Sequence, residues 1–426
     1  MANNVESNFT RKVARVFMEK FETARVHSKN VNTQLLDGKL NPSSGTVVDF
    51  KRPTDYKSVS TADGDITGTK RDIIAGKASG TVQNYLTVPI DYNEVDEALK
   101  LDQLDELLEP AALRIVTDLE LDFATFMMKN TGLLSGTVGS PALIWDDIAD
   151  YGAMMQAHGV PKTAPWYTTV NPFTQKKLSG VQRSLGAGGS AGSAIMSAHE
   201  KAALTRNFAG FDAVMSADTL PSYTAFASAD RAGTLSANPT VTYVGAKDTM
   251  TQVLAVTAFG ANTVVSAGEK IQIAGRNRLN LSTRQLILDG TGTEILFTGT
   301  VTETVTLGAS GEGNLTVTGP AIYEAAGAYN TVDSAPVSGD VVTLLTANGT
   351  TVQPNLFWQK NAFSIGSVKL MKLHSTDTVA TTKDGLQLRV SRYSDGDANK
   401  QTVRFDLLPA FAVLNPFFAG QGFGTP

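Results

Sequence analysis

The sequence predicts an α+β protein with a long spine helix, an extended β-hairpin loop before it in the chain and an all-β barrel inserted after it. Three observations predict this class. An apolar stripe repeats at steps of three and four from about Glu94 to Lys129, and a polar, glycine-rich stretch over 54–80 lies between strand-like runs. From about Leu220 to Thr346 the chain is rich in Thr, Val and Gly, with almost no helical pattern. The 426 residues suffice for two or three folded units with sizeable cores, and 42% hydrophobic against 18% charged residues excludes a disordered chain.

Taken in order, Phe9 to Val26 place Val13, Val16 or Phe17, and Phe21 at helical spacing among Arg11, Arg15, Glu19 and Glu22, an amphipathic N-terminal helix. Asp37-Gly38 and Asn41-Pro42-Ser43-Ser44-Gly45 then break the chain, and Thr46-Val47-Val48-Asp49-Phe50 reads as a short strand stopped by Pro53. Strand character resumes at Tyr85-Leu86-Thr87-Val88-Pro89-Ile90, so these runs are the expected arms of the hairpin. Such an element is marginal alone and needs something to lie against. Along the spine, Leu101, Leu104, Leu108, Ala112, Ile115, Leu119, Phe123 and Phe126 form one stripe. At about 1.5 Å per residue the helix would be roughly 50 Å long, with a kink or break expected near Glu109 because of Pro110.

Residues 141 to 225 alternate helical stretches (Trp145 to His158, Pro172 to Leu185, Ala194 to Leu204) with short strands (Trp166 to Val170, Phe211 to Ser216). Runs such as Thr240 to Val244, Gln252 to Thr257, Lys270 to Ile273, Glu294 to Thr298 and Leu315 to Thr318, separated by Gly, Asn and Asp turns, form the expected barrel. Leu356-Phe357-Trp358, Leu386 to Val390 and Val403 to Leu414 then restore the earlier style, as expected if the chain leaves the body, builds the barrel and returns.

Charge is segregated. Residues 1 to 60 carry ten Lys or Arg against six Asp or Glu, whereas 91 to 130 carry three against eleven, a distribution suited to contacts between segments or subunits. The net charge of −5 and a pI near 5.5 argue against tight sequence-independent DNA binding, which needs clustered cations. With no cysteine there is no disulfide framework, no thiolate-bound zinc and no thiol nucleophile, which fits folding in a reducing cytoplasm. No apolar run approaches the roughly 20 residues that span a bilayer, and no secretory segment is expected.

Catalytic and metal-binding patterns fail one by one. Gly188-Gly189-Ser190-Ala191-Gly192 has the G-x-S-x-G form, but glycine precedes it where a hydrolase needs a strand, so a loop is expected. Histidines 27, 158, 199 and 374 form no H-x-x-x-H pair. Asp63-Gly64-Asp65 begins like a calcium loop whose twelfth residue is Ile74 instead of glutamate; Asp395, Asp397 and Asn399 share the spacing, but Lys400 stands where the turn glycine belongs. Gly76-Lys77-Ala78 lacks the upstream glycine and the Ser or Thr of a phosphate loop. No metal, cofactor or catalytic residue is expected.

The order of parts resembles the major capsid (coat) proteins of short-tailed, P-twenty-two-like bacteriophages. The residues that carry the resemblance are Ser44-Gly45-Thr46-Val47-Val48-Asp49-Phe50-Lys51-Arg52-Pro53, Arg206 to Ser216, Pro354 to Phe363, and Asp395-Gly396-Asp397 to Asn415-Pro416. The resemblance covers essentially the whole chain and rests on order and spacing. It implies the Hong Kong type capsid fold with an inserted telokin-like domain. Its parts would be an N-terminal arm (1–45), an extended loop with flanking strands (46–85), a peripheral domain with the spine helix (86–135), an axial domain (136–225), the inserted barrel (226–345) and return strands (346–426).

It further implies a non-enzymatic protein that assembles with itself as hexamers and pentamers into an icosahedral shell. The family works with a scaffolding protein and a portal protein, encloses double-stranded DNA without sequence-specific binding, forms a procapsid in the bacterial host cytoplasm that matures by expansion, and ends in the virion. The acidic balance suits an inner wall that does not grip DNA. On this reading Lys57, Lys70, Arg71 and Lys77 of the loop lie over Asp102, Asp105 and Glu106 of an adjacent subunit. Arg11, Arg15, Glu19 and Glu22 are candidate scaffold or neighbour contacts, and Lys247 with Asp248 a candidate reach to a neighbouring capsomer. Two alternatives stand beside it: an encapsulin-like, cargo-enclosing compartment shell of the same fold, and a serine hydrolase with Ser190 in reach of His199 or His158.

Overall fold

The computed structural model describes residues 5–33, 47–52, 58–68, 73–93, 104–184, 192–228, 230–325, 327–375, 377–395 and 400–425. The chain divides into two compact units: 1–49, 79–124 and 363–412 make the first, and 50–78, 125–362 and 413–426 the second.

In the first unit the arm helix, Val5–Ala24, buries Ala14, Phe17 and Phe21, of which Phe17 and Phe21 are on the expected face. Phe17 stacks on Phe405 with ring centroids 4.5 Å apart. Phe405 belongs to a four-stranded antiparallel sheet in the order Thr378–Thr381, Gln387–Asp395, Lys400–Leu407, Leu86–Asn93. Alternation along these strands buries Leu388 and Val390, then Val403, Phe405 and Leu407. The spine helix, Leu104–Lys129, buries Ala112, Ile115, Val116, Leu119 and Phe123, and Phe123 meets Phe411 at 5.0 Å. It runs through Pro110 as one helix, so of the kink or break expected near Glu109 the break does not occur. Pro110 is exposed and is the seventh residue of the described helix, past the first turn, so the helix carries the cost of one missing backbone bond there.

The strand partners of the loop also differ from expectation. Val47–Lys51 and Lys77–Val82 are neighbours in a sheet ordered with Pro409–Val413 and Phe363–Ser367, whereas Leu86–Asn93 pairs with Lys400–Leu407 in the other sheet. Lys77–Val82 supplies the second arm because Ala78 and Gly80 turn inward between exposed or half-buried neighbours, with Gly80 opposite Ala412.

The second unit contains a mixed sheet whose path runs Leu133–Leu134, Ala419–Thr425, Thr351–Gln359, Trp166–Val170, Ala213–Ser216, parallel at both ends. Three helices, Trp145–Ala157, Pro172–Arg183 and Gly192–Lys201, accompany it, close to the expected spans. Ile148, Tyr151, Met155 and Leu178 from two of them join Trp166, Phe211 and Phe357 in one core. Lys270–Asn277, Leu296–Val301, Gly313–Thr318, Thr251–Thr257, Ala232–Leu235 and Val341–Leu344 close into a six-stranded barrel with its own core, including Leu254, Ile271, Phe297 and Leu315.

Candidate functional site: the seat of the barrel and the base of the loop

The barrel strand Lys270–Asn277 turns Ile271 and Ile273 into the barrel core, so alternation aims Lys270 outward. That outer face is not wet. Lys270 is fully buried, and its ammonium donates to the carbonyl of Leu133 at 2.8 Å, to the carbonyl of Thr131 at 3.2 Å and to Thr300 Oγ1 at 2.6 Å. From the same strand's exit, Arg278 donates to the carbonyl of Gly132 at 2.6 Å and to Thr298, with its guanidinium 5.4 Å from the Phe297 ring centroid. These carbonyls follow directly on the C-terminal end of the spine helix, where the helix dipole favours cations. Burial pushes the Lys270 ammonium well below the usual lysine range, with Arg278 adding to it, and pushes Arg278 down to about 9.

Gln421 completes the seat by donating to Met128 of the spine and Gly268 of the barrel, both at 2.9 Å. The backbones come close here: a Cβ on Gly319, whose φ is +81°, would stand 3.0 Å from the Gly132 Cα, so a side chain is strained on two counts.

The base of the extended loop is fixed in the same unit by another buried cation. Arg52 donates to the carbonyls of Leu414, Val413, Lys77 and Asp248, the last at 3.4 Å, and burial lowers it to about 10. Lys77 N donates to Asp248 Oδ1 at 3.1 Å, and Lys247 Nζ lies 2.8 Å from Asp248 Oδ2. These bonds, that of Lys247 foremost, hold the Asp248 carboxyl below the usual carboxylate range. Beside them a cavity of about 270 Å³ is lined by residues including Arg52, Tyr243, Arg284, Tyr329 and Phe417, with no carboxylate or histidine among its walls. No cluster of metal-ligating side chains exists among the described residues, and no helix there is long and apolar enough to cross a membrane. Nothing here resembles a catalytic constellation; Lys270, Arg278, Gln421 and Arg52 each tie backbone segments together.

Over residues 1–424 the chain matches the family described as P22 coat protein, gene protein 5. The chain belongs to that coat-protein family. It is also 37% identical over 430 residues to the major capsid protein of Acyrthosiphon pisum secondary endosymbiont phage 1, covering 100% of both chains. Among solved structures, one of Mycobacterium phage Che8 aligns over 94% of this chain and 90% of its own with 12% identity and a TM-score of 0.44. The capsid of Ralstonia phage GP4 aligns over 95% and 91%, with 8% identity and a TM-score of 0.43. A virus-like particle from Pyrococcus furiosus aligns over 97% and 98%, with 7% identity and a TM-score of 0.42. This coat protein is a structural, capsid-forming component of a phage particle and not an enzyme.

The expected contact residues of the coat protein fall in several places. Arg11, Arg15 and Glu19 are exposed on the arm helix, while Glu22 accepts from Lys383 N at 2.8 Å. Lys77, Lys247 and Asp248 meet at the loop base. Asp105 and Glu106 lie on the spine helix, and Lys57, Lys70, Arg71 and Asp102 lie outside the described residues. So does Ser190; His158 is fully buried and His199 exposed. Asp63 and Asp65 bond to the chain two residues on, the ordinary chemistry of Asx turns. Sequence reasoning missed Lys270, Arg278, Gln421 and Arg52, since each looks like a routine polar residue and only long-range packing buries it.

Proposed function

We propose that this coat protein assembles as hexamers and pentamers into an icosahedral shell of the Hong Kong type, through a scaffold-dependent procapsid that matures by expansion around double-stranded DNA. Assembly takes place in the bacterial host cytoplasm, with a portal protein in the shell and DNA enclosed without sequence-specific contacts. The match to the coat-protein family across nearly the whole chain carries this reading. The parts are an arm (1–45), an extended loop with flanking strands (46–85), a peripheral domain (86–135), an axial domain (136–225), an inserted barrel (226–345) and return strands (346–426).

In this reading the loop, with Lys57, Lys70, Arg71 and Lys77, lies over Asp102, Asp105 and Glu106 of an adjacent subunit, and the segment with Lys247 and Asp248 reaches a neighbouring capsomer. Arg11, Arg15, Glu19 and Glu22 present the arm to scaffold or neighbour. Exposed ion pairs contribute about 0 to 1 kcal/mol each, so apolar contact along the hairpin dominates and the charges set register. Reversing Lys70 and Arg71 to Glu together is expected to lower the yield of closed particles on a sucrose gradient. Unchanged yield would count against the loop contact.

A further inference from the structure

We propose that the helical layer on the mixed sheet carries two complementary surfaces, by which one copy of this chain docks head to tail on the next. The inference rests on the reading of the protein as self-assembling and names the surfaces that do it. Trp145–Ala157 packs against Leu133–Leu134 and Ala419–Thr425, whereas Pro172–Arg183 packs against Ala213–Ser216. Leu133–Leu134 and Ala213–Ser216 are the two end strands of the sheet, and both helices enter one core through Ile148, Tyr151, Met155 and Leu178. The helices therefore share a layer, Trp145–Ala157 packing also on 208–210, and they present different exposed surfaces.

The two surfaces differ in charge and share an apolar character. At the first, Leu143, Ile144 and Trp145 are 47%, 48% and 48% exposed, and Asp146 and Asp150 are exposed one turn apart beside them. Asp147 fixes this rim by accepting from Leu143 N at 2.6 Å and Ile144 N at 3.0 Å. Partial burial, with Asp147 and Asp146 close by, raises the Asp150 carboxyl, a crowding that a cationic neighbour would relieve. At the second surface Phe173 is 76% exposed, and Lys176 and Lys177 follow at three and four residues, hence on the same side of the helix. Gly180 continues that stripe into open space, while Thr174, Leu178, Ser179 and Gln182 occupy the buried side. Neither lysine has a carboxylate partner among the described residues.

Each surface would repel a copy of itself and fit the other. A contact between two different patches of one chain is heterologous, and repeated copies close into a ring when the rotation allows. Trp145 and Phe173 are the anchors in this contact, with the carboxylates and ammoniums setting partner and orientation.

Because the chain has no cysteine, crosslinking can test this directly. Particles of a chain carrying both Trp145→Cys and Phe173→Cys, treated with a short bismaleimide, should give a ladder of dimers, trimers and higher species. An equal mixture of the two single variants should stop at dimers, and either alone should stay uncrosslinked. A second arm uses charge: Asp146→Lys with Asp150→Lys, or Lys176→Glu with Lys177→Glu, should each cut particle yield about tenfold or more while leaving thermal unfolding unchanged, and all four together should restore it. Particles without a ladder, dimers from one single variant, or charge variants that assemble like the parent overturn the proposal. A parent chain that forms no particle overturns the reading beneath it instead, and this inference with it.

Discussion

Replacing Glu120 by alanine removes the acceptor that ties the chain after the arm helix to the spine. Its carboxylate, 1% exposed, receives the amides of His27 and Ser28 and the Ser28 hydroxyl, with the His27 ring nitrogen at 3.1 Å. Each buried donor left unsatisfied costs about 1 to 3 kcal/mol, so three of them place the loss at about 3 to 9 kcal/mol. The three tryptophans, at 145, 166 and 358, all lie in the second unit, so their fluorescence does not report this latch. Hydrogen exchange of peptides covering 11–33 does. A loss of about 3 kcal/mol speeds exchange through opening of this latch by about 10²-fold.

The latch also has a pH signature. Burial alone would raise the Glu120 pKa, but the hydrogen bonds and the His27 ring outweigh it and hold it below the ordinary value. A depressed carboxylate contributes stability that is fully present above the unfolded pKa of about 4.3 and lost as pH falls through the folded value. Protection of 25–30 should therefore fall on acidification below about pH 4 in the parent and stay flat in Glu120→Ala. Exchange in the variant within tenfold of the parent at neutral pH would refute the reasoning.

Three further outcomes follow from buried charges and close approach. Lys270 is lowered from the lysine range, so the unfolded chain binds the proton more readily, and stability should rise with pH up to about 10.4; Lys270→Met should flatten that part of the slope in urea melts followed by tryptophan fluorescence. Equal slopes in both proteins would contradict the buried seat. Asp406, held between Arg389 at 2.6 Å and Arg404 at 2.6 Å, should cost about 3 to 5 kcal/mol as Asp406→Asn, read as a lower melting point by circular dichroism. Gly319→Val combines a positive φ with a contact near 3.0 Å and should lower the urea midpoint by about 1 to 3 kcal/mol equivalent; an unchanged midpoint would show that the barrel seat yields there.

Elements whose stabilisation is local were legible. The spine helix announced itself through its three- and four-residue steps, and Trp166–Val170 was read with its true ends, because Asn171 caps the following helix by accepting from Phe173 N. Thr- and Val-rich runs gave the barrel strands, yet nothing local says that Thr343 pairs with Ala232. The second loop arm was missed for the same reason: Lys77–Val82 is a weak strand by composition, and its partners at 410–412 lie more than three hundred residues away. The seat was invisible because alternation points Lys270 to the outside of its barrel, where a sequence reader expects water and the structure puts the end of the spine helix.

Electron microscopy of purified recombinant protein, produced with its helper proteins, tests the central claim most directly. The account predicts closed shells built of repeating capsomers. Preparations at high concentration that contain only separate monomers, folded by circular dichroism and never forming shells, would contradict it.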